Sequence, residues 1–150
     1  MQSLLLRSVV SASFFAIIAC SANAPVAPRL KVETSVVNVV PADANYIAEV
    51  RITNHGTAAV FWAEGCHSIE RQSGGEWVQD RALAVGCAAL HTERLDAGRS
   101  VTRSFVLPRY AIIASGLEQE TFRITLLMQP KPGYDTDGAQ TVRTPPFRLR

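Results

Sequence analysis

Apolar and polar residues alternate along two stretches of this chain. Tyr46, Ala48, Val50 and Ile52 interleave with Ile47, Glu49, Arg51 and Thr53, and Phe122, Ile124, Leu126 and Met128 interleave with Arg123 and Thr125. A period of two sends successive side chains to opposite faces, so each stretch reads as a strand with one face in a core and one in water. Val101, Phe105 and Leu107 share a parity that Arg103 breaks, and Phe147 and Leu149 alternate with Arg148 and Arg150. Between these runs lie turn residues at hairpin spacing: Asn54-His55-Gly56, Ser73-Gly74-Gly75, Asp96-Ala97-Gly98 and Pro130-Lys131-Pro132-Gly133. The pattern predicts strands over 30–40, 45–54, 58–63, 68–72, 76–79, 99–107 and 120–128, and a last one near Phe147.

After the first twenty residues no window carries a sustained apolar stripe at the helical period. The best helical candidate, 110–118, is interrupted by Ser115-Gly116. A parallel α/β fold needs crossover helices that this chain does not encode, so the reading is all-β: an antiparallel sandwich of about seven to nine strands. Trp62 and Trp77 are the large apolar bodies expected to fill its middle. One domain accounts for the length, and no internal repeat is present.

The N-terminus has a different grammar. A short segment bearing Arg7 runs into an apolar stretch over 9–19, which is shorter than the roughly 20 residues a membrane-spanning helix needs and matches the core of a signal peptide. Two cleavage points compete. Ala22-Asn23-Ala24 has suitably small residues but is followed by Pro25, whereas Ile17-Ile18-Ala19-Cys20 is similar to the lipobox of bacterial lipoproteins. The second choice makes 1–19 the signal peptide, Cys20 the lipidated first residue, 20–29 a Pro/Ala-rich tether and 30–150 the folded domain. By resemblance to Gram-negative lipoproteins, Ser21 favours the outer membrane. Loss of Cys20 with the signal would instead give a soluble periplasmic or secreted protein.

Export bears on the other two cysteines, Cys66 and Cys87. With Cys20 lipidated or removed they are an even pair in a compartment where disulfides form, and one bridge would close a loop of about 22 residues. In the chain-entropy picture such a bridge stabilises a fold by about 3 kcal/mol. Two alternatives stay open. A metal site would recruit Cys66, His67, Cys87 and His91, but Cys66 and His67 are adjacent and point to opposite faces of a strand. A nucleophile would need Cys66 as thiolate with His67 as base and Glu64 as the orienting acid. We expect the disulfide, with no metal and no cofactor.

Composition narrows the function further. At 47% hydrophobic and 19% charged the chain is globular, and its net charge of +2 falls to +1 without Arg7, so a nucleic-acid partner is not indicated. Arg143, Arg148 and Arg150 gather near the C-terminus, which is ordinary for a solvated strand face. No GxSxG elbow, GxGxxG loop, P-loop or HExxH pair occurs. Asp135-Thr136-Asp137-Gly138 opens like a calcium loop but lacks the later glutamate, and reads as a polar turn.

Taken together, ITNHGTAAVFWAEGC, SIERQSGGEWVQ, Cys87, LDAGRSV and FRITLLM resemble the bacterial immunoglobulin-like domains of many uncharacterised exported proteins and lipoproteins. The shared elements are a strand ending in Asn and a turn, a cysteine, a hairpin with Gly-x-Trp, a second cysteine, a Leu-x-x-Gly-x-Ser turn and a late aromatic-Arg strand. The resemblance covers 30–128 and implies an immunoglobulin-like sandwich, a fold used in binding, spacer and inhibitor modules. In antibody domains the tryptophan lies between cysteines that bridge the two sheets. Here Trp62 precedes both, which implies a disulfide tying the start of a hairpin to the segment after it.

The expectation is therefore a non-enzymatic interaction or structural module of the bacterial envelope, facing the periplasm, attached to the membrane by lipid and bound to an envelope protein that the sequence does not identify. Its binding surface would be the loops over 64–71 and 81–91, placing His67 and His91 among the contact residues. A proteinase inhibitor is the alternative: PRYAIIASGLEQ over 108–119 would present Arg109 and Tyr110 to a protease cleft. An enzyme using Cys66 or Cys87 ranks third.

Overall fold

The structure is a computed structural model, and it describes residues 29–80, 83, 92–133 and 137–149, without the side chain of Glu64. Cys20, Cys87, His91 and the segments read as signal peptide and tether lie outside the described residues, apart from Arg29. The described chain forms nine strands and one short helix. In order these are β1 (Val32–Ala42), β2 (Asn45–Asn54), β3 (Val60–Ser73), β4 (Glu76–Gln79), β5 (Thr92–Leu95), β6 (Ser100–Pro108), α1 (Arg109–Ala114), β7 (Thr121–Gln129), β8 (Gln140–Arg143) and β9 (Phe147–Arg148).

Every pairing is antiparallel. One sheet has three strands in the order β1-β2-β6; the other runs β4-β3-β7-β8, with β5 also paired to β3 and β9 to β7. The two strands with the cleanest alternation lie inside their sheets, β2 between β1 and β6, and β7 between β3 and β8. Tyr46, Ala48, Val50 and Ile52 of β2 and Phe122, Ile124, Leu126 and Met128 of β7 are all buried in one apolar cluster with Val60, Trp62, Ile69, Phe105 and Leu107. A central strand has neighbours on both edges and a sheet over its inner face, so its inward residues lose nearly all contact with water. Each fully buried Leu, Ile or Phe contributes about 1.5–3 kcal/mol. The fold is thus all-β and sandwich-like.

Residues predicted as two strands, 58–63 and 68–72, form the single strand β3. Its register against β7 shifts between Trp62, opposite Met128, and His67, opposite Leu126. β5 and β8, four residues each, were not anticipated. TERL and QTVR each carry a single apolar residue, too few for alternation to show. Trp77 is also corrected: it is half-buried on the solvent face of β4, with the Arg123 guanidinium 4.2 Å above its ring, and is not part of the core.

The segment 110–118 does begin as a helix. α1 ends where Gly116 takes φ 64°, and the Gly116 and Leu117 N–H groups donate to the carbonyls of Ile113 and Ile112. This double bond pattern closes a helix when a glycine can turn left-handed. Ile112 and Leu117, brought together by it, are both buried.

Asn54 closes the opposite end. Fully buried, it donates from Nδ2 to the carbonyls of Ala58 and Leu95 and accepts at Oδ1 from the Gly56 N–H. Its backbone N–H and C=O are paired with Arg99 and Gly98. One amide therefore fastens the end of β2, the turn after it and the end of β5. Asn54→Ala should lower the unfolding free energy in urea by about 3 kcal/mol, because several buried groups lose their partners. Thr53→Ala, at the exposed Thr53–Ser100 hydroxyl contact, should change it by less than about 1 kcal/mol.

Candidate functional site

The register shift in β3 organises the chemistry-bearing residues. From Trp62 to His67 the strand advances five residues while β7 advances two, from Met128 to Leu126. The surplus is taken up around Gly65, whose φ of 73° lies in the left-handed region that costs glycine least. Three extra residues, an odd number, also change which residues face inward. Before the bulge the even-numbered Val60 and Trp62 are buried; after it the odd-numbered Ile69 is, and His67 pairs with the buried Leu126.

His67 thus faces the interior. Its ring meets Phe105 of the other sheet edge-on, at 4.9 Å and 76°. Both ring nitrogens are buried without a hydrogen-bond partner, and desolvation lowers the pKa from the ordinary 6.5. Cys66 is disulfide-bonded, and no other cysteine lies among the described residues. The nucleophile arrangement finds no support in this geometry. A Cys–His couple needs a thiol and a base that share a hydrogen bond, and here the sulfur is bonded and neither imidazole nitrogen has a hydrogen-bond partner. Among the described residues no cluster of His, Cys, Asp or Glu is arranged to hold a metal.

A cleft of about 90 Å³ opens beside the bulge, bordered by Trp62, Cys66, His67, Glu93, Arg103 and Phe105. Across its mouth Arg103 of β6 holds Glu93 of β5 through Nε, at 2.9 Å to both carboxylate oxygens. This pair explains why Arg103 interrupts an apolar parity. It occupies an inward position at the seam between the sheets, where its stem packs and its charge meets Glu93.

On the outer face of the larger sheet, Glu70 Oε2 takes Arg123 as its close partner and has Arg143 at 3.6 Å. The Arg123–Trp77 contact completes this cross-strand group, which sequence reading had not connected. Alternation does assign Glu70 and Arg123 to a wet face, but only the register sets them opposite one another.

The segment proposed to enter a protease cleft is built differently. Arg109 is half-buried rather than presented. Its guanidinium lies 5.7 Å from the Tyr46 ring centroid, its Nη1 reaches the Asp43 carbonyl at 3.5 Å, and its backbone N–H donates to Ala44. Ala111 and Ile112 are buried in the core, while Tyr110 is 73% exposed and Ile113 49%. Of the candidate pair Arg109 and Tyr110, one is fixed to the β1–β2 turn and the other projects into solvent.

Near this end an apolar row crosses the outer face of the three-stranded sheet. Val40, Ile47 and Val106 are directly opposed across β1, β2 and β6, and Val40 and Val106 are exposed. No sequence signal marks the row, because its members come from three separate strands, each fixed by the parity of its buried residues.

Buried and neutral, His67 makes stability depend on pH. Its folded-state pKa is lowered, so the unfolded chain takes up the proton first. Its contribution is fully present above about pH 6.5 and is lost progressively as pH falls below that value towards the lowered folded-state pKa. In urea unfolding followed from about pH 7.5 to about pH 5, wild type should lose stability more steeply than His67→Phe, which keeps a ring against Phe105 and cannot ionise. Parallel profiles would show that the imidazole is already accessible to protons in the fold.

No family model matches the chain, and no curated protein matches it. Solved structures do. A putative ApaA protein from Bordetella pertussis superposes with a TM-score of 0.50 at 18% identity, covering 83% of this chain and 98% of its own. A protein from Archaeoglobus fulgidus superposes with a TM-score of 0.32 at 14% identity, covering 81% of this chain and 98% of its own. At these identities the likeness to the Bordetella protein is one of fold alone.

Proposed function

We propose that this chain is an exported, non-enzymatic interaction module of the bacterial cell envelope, anchored by lipid on Cys20, with an immunoglobulin-like sandwich as its body. The observation that carries the reading is the exposed apolar row Val40–Ile47–Val106, with Tyr110 and Ile113 projecting near the same end of the sheet. Water-facing apolar side chains grouped across three strands cost solubility and mark a surface that another molecule covers. Tyrosine suits such a surface, because it adds a large contact area with little rotamer freedom to lose.

In this reading the binding surface lies at the α1 end of the small sheet, and the loops over 64–71 and 81–91 remain a second candidate. The proposed Cys66–Cys87 disulfide then serves the fold, tethering the bulge of β3 to the chain that follows the β3–β4 hairpin. The signal peptide, the lipid on Cys20 and the outer-membrane location rest on the resemblance of the N-terminus to a lipoprotein leader. The inhibitor reading gains no support from the geometry: α1 is helical, and Ala111 and Ile112 could reach a protease only by leaving the core.

Two experiments test this. A photo-reactive residue at Val106 or Tyr110 should trap an envelope protein in living cells, whereas one at Thr102, on the polar part of the same face, should not; equal trapping at all three, or none, contradicts the reading. Val106→Asp should abolish trapping from Tyr110 and leave the unfolding free energy within about 0.5 kcal/mol of wild type. Separately, the mature protein should have the mass of Cys20 to Arg150 plus acyl chains, and a start at Asn23 or Pro25 would refute the anchor.

A further inference from the structure

The outer faces of the two sheets differ in charge. On β7 the buried Phe122, Ile124 and Leu126 fix the residues between them as outward, and directly opposed residues of antiparallel strands share a face. Arg123 therefore points out of the larger sheet, as do Arg143, opposite Thr125, and Arg148, opposite Thr121. The three positions follow one another along β7 at steps of two residues, about 6.6 Å each, so they span about 13 Å.

Their charge is only partly answered. Arg123 is held by Glu70 and lies over Trp77, Arg143 stands 3.6 Å from the same carboxylate oxygen, and Arg148 meets the Thr121 hydroxyl at 3.4 Å. Arg143 and Arg148 are both exposed. Among the described residues Glu70 is the one carboxylate at an outward strand position of this sheet, and the remaining outward cation, Arg94, is paired with Asp96 at 2.7 Å. Three guanidinium groups against one carboxylate leave a positive excess. The smaller sheet has the opposite sign, since its outward charges are Glu33, Glu49 and Arg51. From Cys20 onward, the charged residues outside the described set are Arg81, Asp135 and Arg150, and together with the side chain of Glu64 they bring no net charge.

We propose that the outer face of the larger sheet rests on the anionic phospholipid headgroups of the membrane that holds the chain. The proposal rests on the lipid anchor read for Cys20, which keeps the domain within reach of a headgroup layer. A single soluble phosphate needs donors that converge on one point, whereas these guanidinium groups are spread along a strand and suit the separate phosphates of a flat layer, each taken by a planar fork. The positive excess supplies the attraction to an anionic surface. Trp77, beside Arg123, has the amphipathic ring that settles at headgroup depth. Because the outer faces of stacked sheets point in opposite directions, this docking turns the row Val40–Ile47–Val106 away from the membrane, where an envelope protein reaches it.

The mature chain carrying Cys20→Ser, which cannot be acylated, separates this contact from the anchor. Trp77 reports it, because Trp62 is buried in the core. Vesicles of phosphatidylglycerol with a nitroxide on a fraction of their headgroups should quench Trp77 emission at about 0.05 M NaCl and release it at about 0.5 M, where screening is strong. Phosphatidylcholine vesicles with the same label should not quench it, and Trp77→Phe should remove the quenched signal. Arg143→Gln combined with Arg148→Gln should weaken binding about 25-fold, at about fivefold per arginine, while Arg51→Gln on the other sheet leaves it unchanged. Equal quenching by both lipids, no quenching by either, or binding indifferent to the double variant would overturn the proposal. Displacement by millimolar inorganic phosphate, beyond the effect of NaCl at equal ionic strength, would assign the face to a free anion and overturn it too. Should the double variant fail to fold, Arg148→Gln alone and the comparison of lipids and salt still decide. A mature N-terminus at Asn23 or Pro25 would refute the anchor alone, since the vesicle experiment does not use it.

Discussion

Side-chain parity is the constraint on which this molecule turns. A strand can send only every second residue to the core, and a slip of one residue would expose the whole apolar set. β2 and β7 obey without exception from Tyr46 to Ile52 and from Phe122 to Met128, and between them they supply the inner faces that hold the sheets together. β3 cannot obey along its full length, since Val60 and Trp62 have one parity and Ile69 the other. The bulge at Gly65 reconciles them. It also removes Cys66 from the ladder and commits His67 to the interior, so one local irregularity decides the chemistry of the two residues that looked most reactive.

The positions where polar groups meet the core extend the same logic. Asn54 is tolerated at the end of β2 because both ends of its amide are answered by backbone, and Thr144 is answered by the backbone N–H of Ile124. Arg103 is tolerated at the seam because Glu93 meets it from the opposite sheet. His67 is not answered in this way, and neither are Thr125 Oγ1, Gln129 Oε1 and Arg109 Nε. A neutral imidazole without hydrogen bonds is held by its contact with Phe105 and by the walls around it.

The strands that alternate were legible in the sequence to within a residue or two, because burial on one face leaves a pattern that no other element imitates. β2 matches its expected span at both ends, and the break at Ser115-Gly116 marks the end of a helix. What the sequence did not yield depends on pairing. The short strands β5 and β8 owe their existence to β3 and β7. Trp77 reads as core by size and lies outside because β4 contributes to the wet face beside Arg123. Arg109 looks exposed in a loop and is held by Tyr46 and Asp43, residues more than sixty positions away. The apolar row on the small sheet is invisible for the same reason, since each member is a single unremarkable residue in its own strand.

Native-state hydrogen exchange along β3 tests the account most directly, because it reads the continuity of the ladder residue by residue. The account predicts slow exchange at amides paired with β7 on both sides of the bulge, around Trp62 and around Ile69, with rapid exchange confined to the residues between them. Unbroken protection from Trp62 to Ile69 would mean that no bulge exists and that the inward parity of His67 is wrong. Protection that ends at Trp62 without resuming would mean that residues 67–71 do not pair with β7 at all.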